Sequence, residues 1–168
     1  AEAAAEFERI AAVSTEDKAI QREALLSAAD LHEKAGNRAR TGVVLERFVA
    51  QFPTPVPPAI DARQRLAELA AAGGDRARQQ FWQQEIIKAD GAAGAGRTDR
   101  TRVLAARAQL ALAAPARDTF RDIRLTAPLK RSLDSKKKAL DAAMKGYRAA
   151  VDYRVGEVTT AATAEMAD

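Results

Sequence analysis

Apolar residues recur along this chain every three or four positions, and strict alternation of apolar and polar residues is nearly absent. That spacing is the period of an amphipathic helix. Ser14 with Asp17 forms an N-cap pair that predicts a helix over 15–35, with Ala19, Leu26, Ala29 and Ala35 on its apolar side. A second helix over 38–52 gathers Val44, Leu45, Phe48 and Phe52. The segment PTPVPP, residues 53–58, cannot continue it, but Pro58 suits the first turn of a helix over 58–72 with Ala62, Leu66, Leu69 and Ala70 inward. Helix 76–90 carries Ala77, Phe81, Trp82, Ile86 and Ile87, and helix 98–113 carries Val103, Leu104, Ala108, Leu110 and Leu112. Pro115 predicts the start of a shorter helix with Phe120 and Ile123 inward. Pro128 predicts the start of a long one, whose core stripe is Leu129, Leu133, Leu140, Met144, Tyr147 and Val151. Gly156 breaks that helix, and a last one follows.

Two stretches repeat each other 38 residues apart. Residues 24–40 and 62–78 share Ala24/Ala62, Ala29/Ala67, Leu31/Leu69, Gly36/Gly74, Arg38/Arg76, Ala39/Ala77 and Arg40/Arg78. Each is a helix, a Gly-Asn or Gly-Asp turn, and a second helix. A helix–turn–helix unit at this period is the mark of an all-α solenoid, because one unit cannot bury its apolar face alone.

That repeat resembles the tetratricopeptide family. Leu25, Ala28, Ala29, Gly36, Leu45, Phe48 and Pro53 fall at its spacing, and the second copy keeps Leu66, Ala67, Gly74 and Ile86. It departs at Arg63, where a bulky apolar residue belongs, and at Asp90-Gly91, where the closing Pro belongs. The likeness covers 22–90, with 97–168 as degenerate helical units of one domain over 1–168. It implies a right-handed α-α superhelix of antiparallel helix pairs, whose first helices line a concave groove for a peptide or helix. The groove positions would be Glu23, Leu26, Asp30, Glu33, Asp61, Gln64, Glu68 and Ala71, an acidic surface that would repel a C-terminal carboxylate.

Composition supports a helical reading: 47% of residues are hydrophobic, many of them alanine, and only 5% aromatic. The absence of cysteine excludes disulfides and thiol catalysis. Charge is uneven. Residues 1–96 carry a net −2, residues 97–154 a net +9 and residues 155–168 a net −3. Lys130, Arg131, Lys136, Lys137 and Lys138 form the strongest basic cluster. Consecutive lysines circle a helix, and the only nearby aromatics are Tyr147 and Tyr153, so nucleic acid is disfavoured against an anionic lipid or acidic partner.

Little else suggests chemistry. GAAGAGRT, residues 91–98, fits a phosphate-binding loop apart from Arg97, but no strand precedes it; residues 91–96 are expected as a mobile linker, and replacing Arg97 or Thr98 is expected to leave stability almost unchanged. His32 is the only histidine; it has no metal-ligand partners at helical spacing and reads as a structural residue beside the turn. The expectation is therefore a scaffold that binds another protein, without catalytic residues, cofactor or metal. The alternative is a basic module over 97–148 that binds anionic lipid or nucleic acid. Opposite charges also allow two copies to associate weakly, acidic end to basic end. The chain reads as a fragment of a longer bacterial repeat protein, in the periplasm by resemblance or else in the cytoplasm.

Overall fold

A computed structural model describes residues 2–13, 15 and 17–167, all-helical apart from turns, with no strand among them. Ser14, half of the expected N-cap pair, lies outside the described residues; Asp17 caps the helix, accepting from the Ala19 amide at 2.6 Å. The chain contacts divide it into two compact units, residues 1–97 and 98–168.

The first unit contains α1 (Glu2–Ile10), α2 (Lys18–Lys34), α3 (Arg38–Gln51), α4 (Val56–Ala72) and α5 (Arg76–Gly91), each packed on the next. The two glycine turns are copies of one geometry. Gly36 and Gly74 take φ of +70° and +74°, a region cheap only for glycine. The Asn37 amide donates to the His32 carbonyl at 2.9 Å, and the Asp75 amide to that of Ala70 at the same distance. Asn37 and Asp75 then cap α3 and α5 by accepting from the Arg40 and Arg78 amides at 3.1 and 2.9 Å.

Burial repeats with the same 38-residue shift. Helix α2 buries Gln21, Ala24, Leu25, Ala28, Ala29 and His32; α4 buries the matching Ala59, Ala62, Arg63, Leu66, Ala67 and Ala70, and Ile60 besides. Val44, Leu45, Phe48 and Phe52 of α3 and its C-cap are matched by Trp82, Gln83, Ile86 and Asp90 of α5. One core runs through Leu25, Ala29, Leu45, Phe48, Leu66, Ala67 and Trp82. Burying a Leu or Phe of this kind contributes about 1.5–3 kcal/mol. The second copy puts polar groups at inherited core positions. Arg63 stands where Leu25 does and donates its Nη1 to the Ala59 carbonyl at 2.9 Å. Desolvation works against its charge and lowers its pKa, an effect that nearby Glu85 opposes.

Residues 91–96, expected as a mobile linker, end α5 and form a 3-10 turn, Gly94–Gly96. Arg97 then reaches back to the buried Asp90, Nη2 to Oδ2 at 2.8 Å.

The second unit contains α6 (Asp99–Asp122), α7 (Leu129–Val151) and α8 (Gly156–Ala167). Thr98 and Thr101 form a reciprocal capping box at the start of α6. Helix α6 corrects the sequence reading: it runs unbroken through Pro115, which was expected to start a helix of its own. Helix α7 corrects another. Leu129, Leu133 and Leu140 are 60%, 52% and 39% exposed, although they were expected in the core with Tyr147. The face that packs carries Ala139, Ala143, Tyr147 and Ala150, set against Ala106 and Ala113 of α6 and Val158 and Ala162 of α8. A β-carbon placed on Gly146 would lie 2.8 Å from that of Ala113. Helices this close admit only small residues at the seam, so the leucine face is left outside.

Candidate interaction surfaces

The expected groove residues lie on α2 and α4. Glu23, Asp30, Glu33 and Glu68 are exposed, and Leu26, Asp61 and Gln64 are half-buried. The sequence made this face acidic, but Arg65 of α4 alters it. Its two terminal nitrogens reach Asp30 at 2.9 Å and Glu33 at 2.5 Å on α2. Gln64 donates to Glu68 at 2.8 Å. Two of the expected acids therefore act as an inter-helix clamp.

The basic cluster also divides. Lys136 turns inward, donating to the Ile123 carbonyl at 2.9 Å, with its ammonium 4.6 Å from the centre of the Phe120 ring. A cation at the C-terminal end of α6 is favoured by the helix dipole. Lys130, Arg131 and Lys138 line an open recess of about 540 Å³ with Asp134. Lys137 is exposed, and the 100° step between helical neighbours turns it away from Lys138.

A third arrangement was not singled out in the sequence. Glu8 of α1 accepts from His32 Nε2 on Oε1 at 2.8 Å and from Arg40 Nη2 on Oε2 at 2.5 Å. Burial raises the Glu8 pKa, but the bonds from His32 and Arg40 outweigh it and hold the carboxyl below its usual value. The signal was present: Phe7-Glu8-Arg9-Ile10 precedes Leu45-Glu46-Arg47-Phe48 by 38 residues, so α1 corresponds to α3. The ion pair repeats with it, Arg78 Nη2 meeting Glu46 Oε1. The histidine does not, because Ala70 stands at its repeat position. There a recess of about 250 Å³ opens against Ala70, Gly42, Val43, Glu46, Leu69 and Arg78.

The remaining candidates have structural surroundings. Arg97 is engaged with Asp90, and Trp82 is buried in the core while its neighbour Phe81 stands half exposed. Among the described residues no three His, Cys, Asp or Glu side chains gather as a metal site, and no helix is long and apolar enough to cross a membrane. Compared with known proteins, the chain matches no family model, no curated protein and no solved structure.

Proposed function

We propose that this chain is a protein-interaction module of the tetratricopeptide type, a superhelical stack that recognises a peptide or helix and does no covalent chemistry. The observation that carries the reading is the repetition of turn, cap and ion pair at a 38-residue period from Glu8 to Arg78. Stacks of this kind present a continuous side-chain surface from successive helices. A photo-crosslinking residue at Leu26 or Glu68 is expected to capture a discrete protein partner, with charge reversal at Glu23 and Glu68 slowing capture. Capture unaffected by those reversals, and lost on reversing Lys137 and Lys138, overturns it.

A second reading has its own observation. Leu129, Leu133 and Leu140 are exposed on the helix that carries Lys130, Arg131, Lys137 and Lys138. An apolar stripe flanked by cations suits an anionic lipid surface better than nucleic acid. Co-sedimentation with phosphatidylserine vesicles, abolished by Leu133→Glu, supports it; equal sedimentation with neutral vesicles opposes it.

A further inference from the structure

The geometry points to the recess beside Ala70 as a binding site for an imidazole ring, namely a histidine side chain presented by a partner protein. The occupant is inferred from the molecule's own repeat. In the first copy the space between α1 and α2 is filled by His32, whose Nε2 bonds to Glu8 Oε1 at 2.8 Å, while Arg40 grips both carboxylate oxygens, Nε on Oε1 at 3.2 Å and Nη2 on Oε2 at 2.5 Å. Shift each residue by 38, and Glu46 and Arg78 keep the ion pair, but Ala70 has lost the ring. Gly42 stands in place of Ala4 and removes one more methyl. Leu66 and Val43 are larger than Ala28 and Ala5 at the matching positions, yet Leu66 is buried in the core, Val43 is 54% exposed, and about 250 Å³ remains open.

The recess retains the recognition chemistry of the filled copy. Gly42, Val43, Leu69 and Ala70 give it an apolar side that suits the carbon edge of a ring, and Arg38, Asp75 and Arg78 line it as well. Glu46 gives one oxygen to Arg78, while Oε2 has no hydrogen bond to the described residues. That oxygen can accept from a ring N–H as Glu8 does. A lysine ammonium would meet the carboxylate but leave the apolar walls uncovered, and a phenyl ring would leave the acceptor unmet.

The biological occupant rests on the interaction-module reading, but the site is tested on the chain alone. Amide NMR shifts of the full chain are followed while imidazole, and separately the peptides Gly-His-Gly, Gly-Phe-Gly and Gly-Lys-Gly, are added to about 20 mM, where weak fragment binding is detectable. Imidazole and Gly-His-Gly are expected to shift Gly42, Glu46 and Ala70, with the Phe and Lys peptides at least about tenfold weaker. Ala70→His fills the recess from within and is expected to remove this binding. His32→Ala opens the matching space and is expected to add a second imidazole site beside Glu8. The proposal is overturned by the absence of shifts in the wild-type chain, by unchanged binding in Ala70→His with native helicity, by imidazole binding without Gly-His-Gly binding, or by equal binding of the three peptides. Failure here leaves crosslinking at Leu26 and Glu68 as an independent measure of the module reading.

Discussion

His32 and Glu8 are 24 residues apart in sequence and 2.8 Å apart in space, joining α2 to α1 through a hydrogen bond in a largely buried setting. Arg40 adds α3 to the same carboxylate, so one acid ties three helices. Glu8→Gln keeps the shape but removes the charge both donors face. Hydrogen bonds to charged groups contribute about 1.5–3 kcal/mol, and a loss near the lower end is expected in urea unfolding. No change in midpoint would show that the contact adds nothing to stability.

The same carboxylate makes stability depend on pH. Its folded pKa lies below the ordinary glutamate value of about 4.5, so the folded state favours the ionised form. That contribution is fully present well above pH 4.5, and it is lost as pH falls through the folded pKa. Melting temperature should therefore drop on acidification below this range, and Glu8→Gln should drop less steeply. Parallel curves for the two proteins would remove Glu8 from the acid response.

Trp82 and Phe81 make an internal control. Their rings meet edge to face at 4.8 Å, but Trp82 is 8% exposed and Phe81 50%. Trp82→Ala should cost about 3–5 kcal/mol, the range for a deleted core aromatic. Phe81→Ala should cost about 1 kcal/mol or less, chiefly the ring contact. Equal losses would mean that the two exposures do not govern the energetics.

Two helical glycines should respond with opposite sign to alanine. Gly42 has nothing within 4 Å of an added β-carbon, so Gly42→Ala should gain about 0.5–1 kcal/mol from helix propensity. Gly146→Ala meets the Ala113 β-carbon at 2.8 Å and its α-carbon at 3.2 Å, a backbone that cannot swing aside. Overpacking of this kind costs about 1–3 kcal/mol and should outweigh the propensity gain. A more stable Gly146→Ala chain would mean the α6–α7 seam separates easily.

Arg97 looked dispensable as a linker residue, and its contact argues otherwise. Asp90 has a fully buried side chain, and Arg97 is one of its partners. Arg97→Ala should destabilise the chain by about 1–3 kcal/mol, the cost of weakening the compensation of a buried polar group. Thermal melts of Arg97→Ala and Arg97→Lys, the latter partly restored, would check it.

Sequence by itself determined the parts of this protein that depend on near neighbours. The 3.6-residue period gave helices and put Ala29, Leu45, Phe48, Leu66 and Trp82 in the core, and the Gly36 and Gly74 turns required positive φ; Ala19, Ala35, Ala77 and Phe81, expected inward on the same period, are exposed. The tertiary structure decided what depends on the facing surface. Helix α7 has two apolar faces, and period alone cannot rank them; close packing against Ala106 and Ala113 chose alanines and left Leu129, Leu133 and Leu140 in water. The neighbouring helix likewise turned Asp30 and Glu33 into Arg65's partners and drew Lys136 out of the basic cluster toward Ile123. Pro115 stayed helical although its local preference favours a first turn. The open space at Ala70 follows the same rule, because a missing ring becomes a recess only where the helices around it keep the spacing that His32 fills in the other copy.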